Sequence, residues 1–367
     1  MDKEIKIFDC TEKEIQKYSI KYKALGYEWI DIVDENIREL EEIYKYQDEA
    51  IIFNLIKNKT VLVDYPWLRS IVRICPEGYF LELLSSRNRN LISSKEQKTL
   101  RKAKISVAGL SVGSNICKIM AMQGVGRDFN IADSDILSST NLNRVSESIL
   151  NVGKPKTLLT KRRLLEINPF LNINLFNRGL TIKNITTFIR GASVVFDEID
   201  NLNLKLKLRE AAKNERKPLV MITDNGDNVM VDIERYDTDP KLIPFHGLLN
   251  KFDLDLIKKA KKGLKPSERV KLSLKIVQPQ NAVPKMQKSL VDVGKTLNTW
   301  PQLGTAATLA GAVGCMIARK IILKEALVSG RRHISLDAEL EPGHRKVRSV
   351  LRRHIHTMNF KKSLGRK

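Results

Sequence analysis

ISVAGLSVGSNICKIMAMQGVGRDFNIAD, residues 105–133, decides the fold class of this chain. A short β-branched run ends in glycine, a helical stretch begins at Ser114, and a second apolar run ends at Asp133. Strand, turn, helix and strand in this order open a parallel sheet covered by helices. We therefore predict an α/β fold built on a doubly wound, mostly parallel sheet.

The same alternation continues downstream as far as Tyr236. Helical and strand-like segments follow one another in the order LLTKRRLLEIN, INLFN, NITTFIR, ASVVFDEID, LKLKLREAAKNE and PLVMITD. The runs VVF and LVMI are continuously apolar, as expected for parallel strands buried on both faces. Residues of about 240–300 form a less regular excursion, and the apolar, small-residue stretch 303–323 then returns as a predicted buried helix.

Three domains follow from this pattern. Residues 1–85 mix acidic helical patterning with short strand-like runs and hold no chemical motif, so we predict a small N-terminal α+β appendage for docking or dimerisation. Residues 86–330 form the main domain. Residues 331–367 carry 11 Lys/Arg against 3 Asp/Glu and are predicted to form a basic C-terminal extension.

Composition limits the partners and the compartment. The 367 residues carry 64 Lys/Arg and 42 Asp/Glu, a net charge of +22, which favours polyanionic partners such as RNA. Four cysteines stand far apart, so neither a disulfide framework nor a zinc site is expected. The first ten residues are charged where a signal peptide is apolar, and the longest apolar stretch is shorter than a membrane span. We expect a cytoplasmic protein without a membrane partner.

The turn from Gly109 to Ser114 has two interpretations. It lies between a strand and a helix, where backbone N–H groups and the helix dipole can hold a phosphate, although one glycine of G-x-G-x-x-G is missing. It also matches G-x-S-x-G, the nucleophile turn of serine hydrolases, which further require a late histidine. The turn alone leaves both open.

Charged residues after later strands favour the phosphate-binding interpretation. Asp133 ends the second strand, where a carboxylate can accept hydrogen bonds from ribose hydroxyls. The segments N-L-N-R and G-K-P-K supply Arg144 and Lys156, which suit phosphate oxygens. Asp200 stands at the end of another strand and is suited to Mg²⁺.

Together these elements resemble the ThiF/MoeB/HesA superfamily, the adenylating core shared with ubiquitin-activating enzymes. The resemblance covers about residues 87–236, and within it TDNGDNVMVDIERYD is similar to bacterial ThiF-like proteins associated with nitroreductase-like domains. Upstream, Arg87 to Asn90 resembles the element that reaches the ATP site of the partner subunit. The matching elements occur in the family's order: Asp133-Ser134-Asp135, Thr140 to Arg144, Gly153 to Lys156, Ile167-Asn168-Pro169 and Asp197 to Asn201.

The resemblance implies a Rossmann-like fold and an ATP- and Mg²⁺-dependent adenylyltransferase acting as a homodimer. It assigns the ribose to Asp133, the triphosphate to Arg144 and Lys156, Mg²⁺ to Asp200, and a role in trans to Arg89. Attack of a carboxylate on the α-phosphate needs dispersed positive charge and Mg²⁺ rather than an acid–base pair. The other cofactor-binding positions are Gly109, Ser111, Gly113, Asp135, Asn141, Asn143 and Asn201.

Departures from the family pattern refine this expectation. The glycine turn is contracted, and no cysteine lies between Cys117 and Cys315 to form a thioester. We therefore expect direct capture of an acyl-AMP made from a peptide, a small carrier protein or a small acyl substrate. Two alternatives remain open: a tRNA-modifying dehydratase of the threonylcarbamoyl-adenosine type, and a nucleotide-binding module without turnover.

Overall fold

The computed structural model describes residues 4–45, 56, 59–260, 264–278, 281–293 and 295–364. Residues 1–3 and 365–367, at the ends of the two predicted outer domains, lie outside the described residues. Contacts divide the chain into two units, the first made of Met1–Lys98, Met122–Gly124 and Leu165–Phe170 and the second of Thr99–Ala121, Val125–Leu164 and Leu171–Lys367.

The first unit therefore extends past residue 85, the boundary predicted from sequence. Asn88 shows why, because its amide donates to the Gln97 side chain (3.0 Å) and to the Gln123 backbone oxygen (3.1 Å). These bonds tie residues 86–98 to the first unit rather than to the second.

The first unit contains a four-stranded sheet in the order β1-β3-β4-β2, antiparallel except for the β2–β4 pair. Leu62 and Ile71, both fully buried, anchor its core on one face. The mixture of helices and strands agrees with the predicted α+β appendage. Its elements are β1 Lys6–Thr11, α1 Glu12–Ala24, β2 Glu28–Asp31, α2 Val33–Tyr44, β3 Lys59–Tyr65, β4 Ser70–Ile74 and α3 Glu77–Ser85.

The second unit contains a seven-stranded sheet in the order β11-β10-β9-β8-β5-β6-β7. The strands from β9 to β7 pair in parallel, while β10 and β11 run antiparallel, so the predicted mostly parallel sheet is confirmed. The strands are β5 Lys104–Ala108, β6 Asp128–Ala132, β7 Asn172–Phe176, β8 Val194–Asp197, β9 Pro218–Asn225, β10 Asn228–Arg235 and β11 Gly330–Ile334.

Helices connect and extend these strands. The predicted helices between the parallel strands are confirmed as α5, α6, α7 and α8, and the excursion carries α9 to α11. The described helices from residue 94 onward are α4 Ser94–Arg101, α5 Gly113–Met122, α6 Lys156–Ile167, α7 Ile185–Ile189, α8 Leu202–Asn214, α9 Lys251–Lys259, α10 Pro266–Val277, α11 Pro284–Asp292, α12 Gly304–Ile322, α13 Leu336–Leu340 and α14 Val347–Leu364.

Two strands lie outside the parallel pattern recognised in the sequence. Every residue of β10 is buried, including Asp232 and Glu234. Because these two charged residues interrupt the apolar run, the sequence does not resemble that of a buried strand. Arg331 of β11 makes a two-point ion pair with Asp232 at 2.9 and 2.7 Å. The predicted C-terminal extension therefore begins inside the sheet, at an edge strand held by this pair.

Helix α12 confirms the predicted buried helix. The expectation that this stretch is shorter than a membrane span was wrong, because α12 is the one helix of the described part of the chain that is long and apolar enough to cross a membrane. However, 56% of its most apolar 18-residue window is buried inside the protein. Its small residues pack against β8, β9 and β10.

A buried ionic network joins the middle of the sheet to α8. The guanidinium of Arg209, which has no solvent exposure, pairs with Asp197 at the end of β8 and with Glu234 of β10 (2.7 Å). Lys205 approaches the second Asp197 oxygen at 3.2 Å, and the Phe245 ring lies 3.9 Å from the guanidinium. Burying these charges requires such complete pairing. Asp197 therefore has a structural role.

The strand order reverses between β5 and β8. Chain connections leave these neighbouring strands toward opposite sides of the sheet, and ligands of such sheets bind in the crevice at the carboxyl ends of the strands. The turn after β5 and the loop after β8 both lie at this end.

Candidate functional site

Gly109 lets the turn after β5 approach the loop after β8. Its φ of +90° is unfavourable for residues with a side chain, and a Cβ atom there would lie 2.2 Å from the backbone oxygen of Glu198. A Cβ atom on Gly113, the first residue of α5, would lie 2.6 Å from Val107. Both predicted glycines are therefore required by close packing at the crevice.

Asp133 fixes the position of this turn. One carboxylate oxygen accepts the Leu110 backbone N–H (2.7 Å), and the other accepts the Asp135 N–H (2.7 Å). Burial raises the pKa of Asp133, and these two hydrogen bonds oppose the increase. Each oxygen keeps a second lone pair that can accept a hydrogen bond from a ribose hydroxyl.

Lys156, at the start of α6, joins the glycine turn to the segment after β6. Its side chain is 6% exposed, and its ammonium lies 3.0 Å from Asp135 and 3.4 Å from the Ser111 hydroxyl. Lys156 thus contacts two other predicted site residues. Within the described residues, Ser111 contacts this lysine rather than a histidine, so the serine-hydrolase interpretation lacks its base.

Arg144 lies beside the first turn of α5. Its guanidinium donates to the Thr140 backbone oxygen (3.0 Å) and to the Asn143 side chain (2.9 Å), while Asn115 of α5 donates to the Arg144 backbone oxygen (3.0 Å). The buried Nε has no hydrogen-bond partner in the described chain. Burial lowers the pKa of Arg144, and the charges of Asp224 and Asp200 oppose this effect.

Asp200 lies three residues beyond the end of β8 and is exposed. The described residues contain no cluster of three or more His, Cys, Asp or Glu placed to hold a metal. A single carboxylate still suits Mg²⁺, which keeps several waters and takes further oxygens from nucleotide phosphates. Asn201, beside it, caps α8 by accepting the Leu204 N–H (3.0 Å).

The remaining predicted residues make local contacts. Asn141 is buried and accepts the Ser138 backbone N–H at 3.1 Å, which shapes the loop before Arg144. Arg89 belongs to the first unit, where its guanidinium lies 5.7 Å from the ring centre of Tyr44. The structure thus brings Asp133, Arg144 and Lys156 together around the start of α5, whereas Asn201 caps α8.

Two residues of this region were missed by the sequence analysis. Asp224, near the carboxyl end of β9, is 4% exposed, and Gln302 donates to its carboxylate at 2.9 Å. The position of Asp224 near a strand end, like that of Asp200, was a usable signal. The sequence around Gln302 carries no such signal, because only the fold brings it back to β9.

The chain is similar to known proteins over the part that contains this site. A model described as the ThiF family matches residues 85–332. An uncharacterized protein of Mycobacterium tuberculosis (strain CDC 1551 / Oshkosh) is 35% identical over 277 residues, which are 76% of this chain and 38% of that protein. The tRNA threonylcarbamoyladenosine dehydratase of Bacillus subtilis (strain 168) is 30% identical over 164 residues, 42% of this chain and 64% of the dehydratase.

The sulfur carrier protein adenylyltransferase of Thermus thermophilus is 29% identical over 131 residues, which are 35% of this chain and 48% of that enzyme. The chain therefore spans less than two thirds of the length of each of these three relatives.

Proposed function

The chain belongs to the ThiF family, and on this premise we propose that it is an ATP- and Mg²⁺-dependent adenylyltransferase. Its substrate is a carboxylate, which it converts to an acyl-AMP with release of pyrophosphate. The observation that carries the proposal is the placement of Lys156, Arg144 and Asp133 around the start of α5. The name of the Thermus thermophilus relative supports the same reaction class.

The residues of the crevice account for the steps of adenylation. Asp133 accepts hydrogen bonds from the ribose, and the first backbone N–H groups of α5 face the phosphates. Lys156 exchanges Asp135 for a phosphate oxygen, while Arg144 offers its guanidinium to the charge that develops during attack. Asp200 would hold Mg²⁺, and the ion would supply Lewis-acid stabilisation of the negative charge on the pyrophosphate.

The cysteines support direct transfer from the acyl-AMP. All four are free and buried. Burial raises the pKa of the Cys117 thiol, and it raises the pKa of Cys315 to about 12. Because a thiolate is the nucleophilic form, these thiols are poorly suited to an enzyme thioester. The acceptor nucleophile therefore comes from outside this chain.

We assign a peptide or a small carrier protein as the acyl substrate, a homodimer as the active form and the cytoplasm as the compartment. The name of the Thermus thermophilus enzyme supports a carrier protein. The family resemblance of Arg87 to Asn90 supports the dimer, and the free, buried cysteines support a reducing compartment.

Replacing the proposed Mg²⁺ ligand tests this function. Asp200→Asn should reduce ATP–pyrophosphate exchange, measured across a panel of candidate peptides and carrier proteins, by about a hundredfold or more. The fold should persist, because Asp200 is exposed. Asp239→Asn, another exposed aspartate, is the matched control and should keep full exchange. Unchanged exchange in Asp200→Asn at saturating Mg²⁺ would remove the assignment.

The charge distribution favours a second candidate, an RNA-modifying enzyme. Residues 1–98 carry 16 Lys/Arg and 18 Asp/Glu, or −2, whereas the remaining residues carry 48 and 24, or +24. The Bacillus subtilis relative, by its name, acts on tRNA. Bulk tRNA should then bind at low salt, with a log–log salt slope of about −0.7 to −0.9 per phosphate contact. A mobility-shift titration at low salt that shows no complex would exclude this candidate.

A further inference from the structure

Gln302 connects two parts of the crevice that are far apart in sequence. Its side-chain amide donates to a carboxylate oxygen of Asp224 at 2.9 Å. Its backbone oxygen accepts from the side-chain amide of Asn143 at 2.7 Å. One residue therefore contacts both the end of β9 and the loop that carries Arg144.

The chain of hydrogen bonds continues to the guanidinium. The side-chain oxygen of Asn143, whose amide nitrogen is held by Gln302, accepts from the Arg144 Nη1 at 2.9 Å. Asn143 can present this oxygen to Arg144 only while its nitrogen points toward Gln302. Asp224, Gln302 and Asn143 thus form a continuous brace that ends at Arg144.

The polypeptide around the brace is tightly fitted. A Cβ atom on Gly304 would lie 2.5 Å from the Asn143 backbone oxygen, so the start of α12 is pressed against the loop. Asn225, next to Asp224, accepts the Val283 backbone N–H at 2.8 Å. The end of β9 therefore anchors the excursion at two points, one before α11 and one before α12.

Two polar atoms beside the brace have no hydrogen-bond partner within the described residues. They are the second carboxylate oxygen of Asp224 and the Nε of Arg144, and both are buried. The two side chains interact electrostatically without an ion pair. Arg144 is therefore held by the Asn143 side chain together with the Thr140 backbone oxygen, and no direct contact with Asp224 neutralises its charge.

We propose that Gln302 is a positioning residue for Arg144: anchored by Asp224, it holds Asn143 so that the Arg144 guanidinium meets the phosphates of ATP. The proposal rests on the function proposed above and adds to it a residue from the end of the excursion. It makes the geometry of the phosphate site depend on the segment that precedes α12.

Binding of two nucleoside probes tests the proposal. By titration calorimetry with MgATP, Gln302→Ala should bind about fivefold more weakly than the unmodified chain, the effect of losing one positioning hydrogen bond. Adenosine, measured by competition with MgATP, should bind unchanged, because it has no phosphate for Arg144. Gln287→Ala, which removes a buried glutamine that contacts Thr357 and His356 of α14, is the matched control and should leave MgATP affinity unchanged.

A double-mutant cycle separates positioning from a general structural effect. Arg144→Ala should weaken MgATP binding, and adding Gln302→Ala to it should cause no further loss. Equal fold-losses in both backgrounds, or an unchanged affinity in Gln302→Ala, would overturn the proposal while the proposed function stands. Absence of MgATP binding to the unmodified chain would overturn both.

Asp224 provides a second test if Gln302→Ala fails to fold. The amide oxygen of Asp224→Asn can still accept from Gln302, so this variant should bind MgATP at least as tightly as the unmodified chain. Asp224→Ala removes the anchor and should bind about fivefold more weakly. Equal affinity in the two variants would contradict the brace.

Discussion

The surroundings of Asp224 destabilise the charged form of its carboxyl group. It is 4% exposed, and burial raises its pKa to about 6, with the Gln302 hydrogen bond and the Arg144 charge opposing the increase. The negative charges of Asp224 and Glu198 also interact, and burial raises the pKa of Glu198. Because an unfolded aspartate has a pKa near 3.9, the native chain binds more protons between about pH 4 and 6.

The sign of this difference predicts a pH-dependent effect on stability. As pH rises from about 4 to 6, the contribution of Asp224 to the free energy of unfolding falls. Asp224→Asn should therefore be about as stable as the unmodified chain near pH 4.5 and more stable by about 2 kcal/mol near pH 7.5. Urea unfolding midpoints at the two pH values measure the difference.

The exposed Asp239 supplies the control for this experiment. Asp239→Asn should shift the midpoint little and equally at both pH values, because its charge remains in water. A stability difference for Asp224→Asn that is the same at pH 4.5 and pH 7.5 would show that the buried charge is not its cause.

Candidate site residues could be predicted from the sequence where a side chain of suitable chemistry stands at or after the end of a predicted strand. Asp133, Arg144 and Lys156 follow or adjoin predicted strands, and the structure places them around one helix start. What they contact was not predictable. The Lys156 ammonium donates hydrogen bonds to Asp135 and Ser111, and Asn201 caps a helix. Local backbone geometry determines these hydrogen bonds.

At the scale of elements, the parallel strands could be predicted because burial on both faces makes them continuously apolar. The buried strand β10 follows a different rule, since Asp232 and Glu234 are compensated by arginines that come from β11 and α8. The sequence of one strand does not reveal ion-pair partners that come from distant segments. The strand order was likewise a property of tertiary pairing, with only the βαβ rule available to guide it.

The small residues of α12 explain why an apolar 19-residue helix belongs to the protein core. Gly314 lies against Ile116 and Ile222, where an added Cβ atom would be 3.3 Å from each. Such close approach to α5 and β9 brings the start of α12, and with it Gln302, next to the loop that carries Arg144. The returning helix thus contributes to the crevice through its position as well as through packing.

At the scale of the whole molecule, the excess positive charge lies after residue 98. Long-range attraction of a polyanion would therefore act through the part of the chain that includes the crevice and the basic helix α14. Helix α14 contains Arg348, Arg352 and Arg353 and no acidic residue. MgATP and RNA would be drawn to the same electropositive part of the chain, and increasing salt should weaken the attraction of both.

Arg89 is predicted to act in trans in the proposed dimer. In the resembled family the matching arginine enters the partner's nucleotide site, where a guanidinium stabilises charge on the triphosphate. If Arg89 acts in trans, homodimers of Arg89→Ala and of Asp200→Ala should both lack pyrophosphate exchange. A mixed dimer then contains one site with both defects and one site with an intact Arg89 and an intact Asp200. Mixing the two variants so that they exchange subunits should therefore restore pyrophosphate exchange, up to one working site per heterodimer.

An arginine acting in cis gives no recovery, because every site then keeps one defect. Native mass spectrometry of differently tagged chains measures heterodimer formation alongside activity. Heterodimers without recovered exchange, or a chain that remains monomeric with ATP present, would reject the shared site.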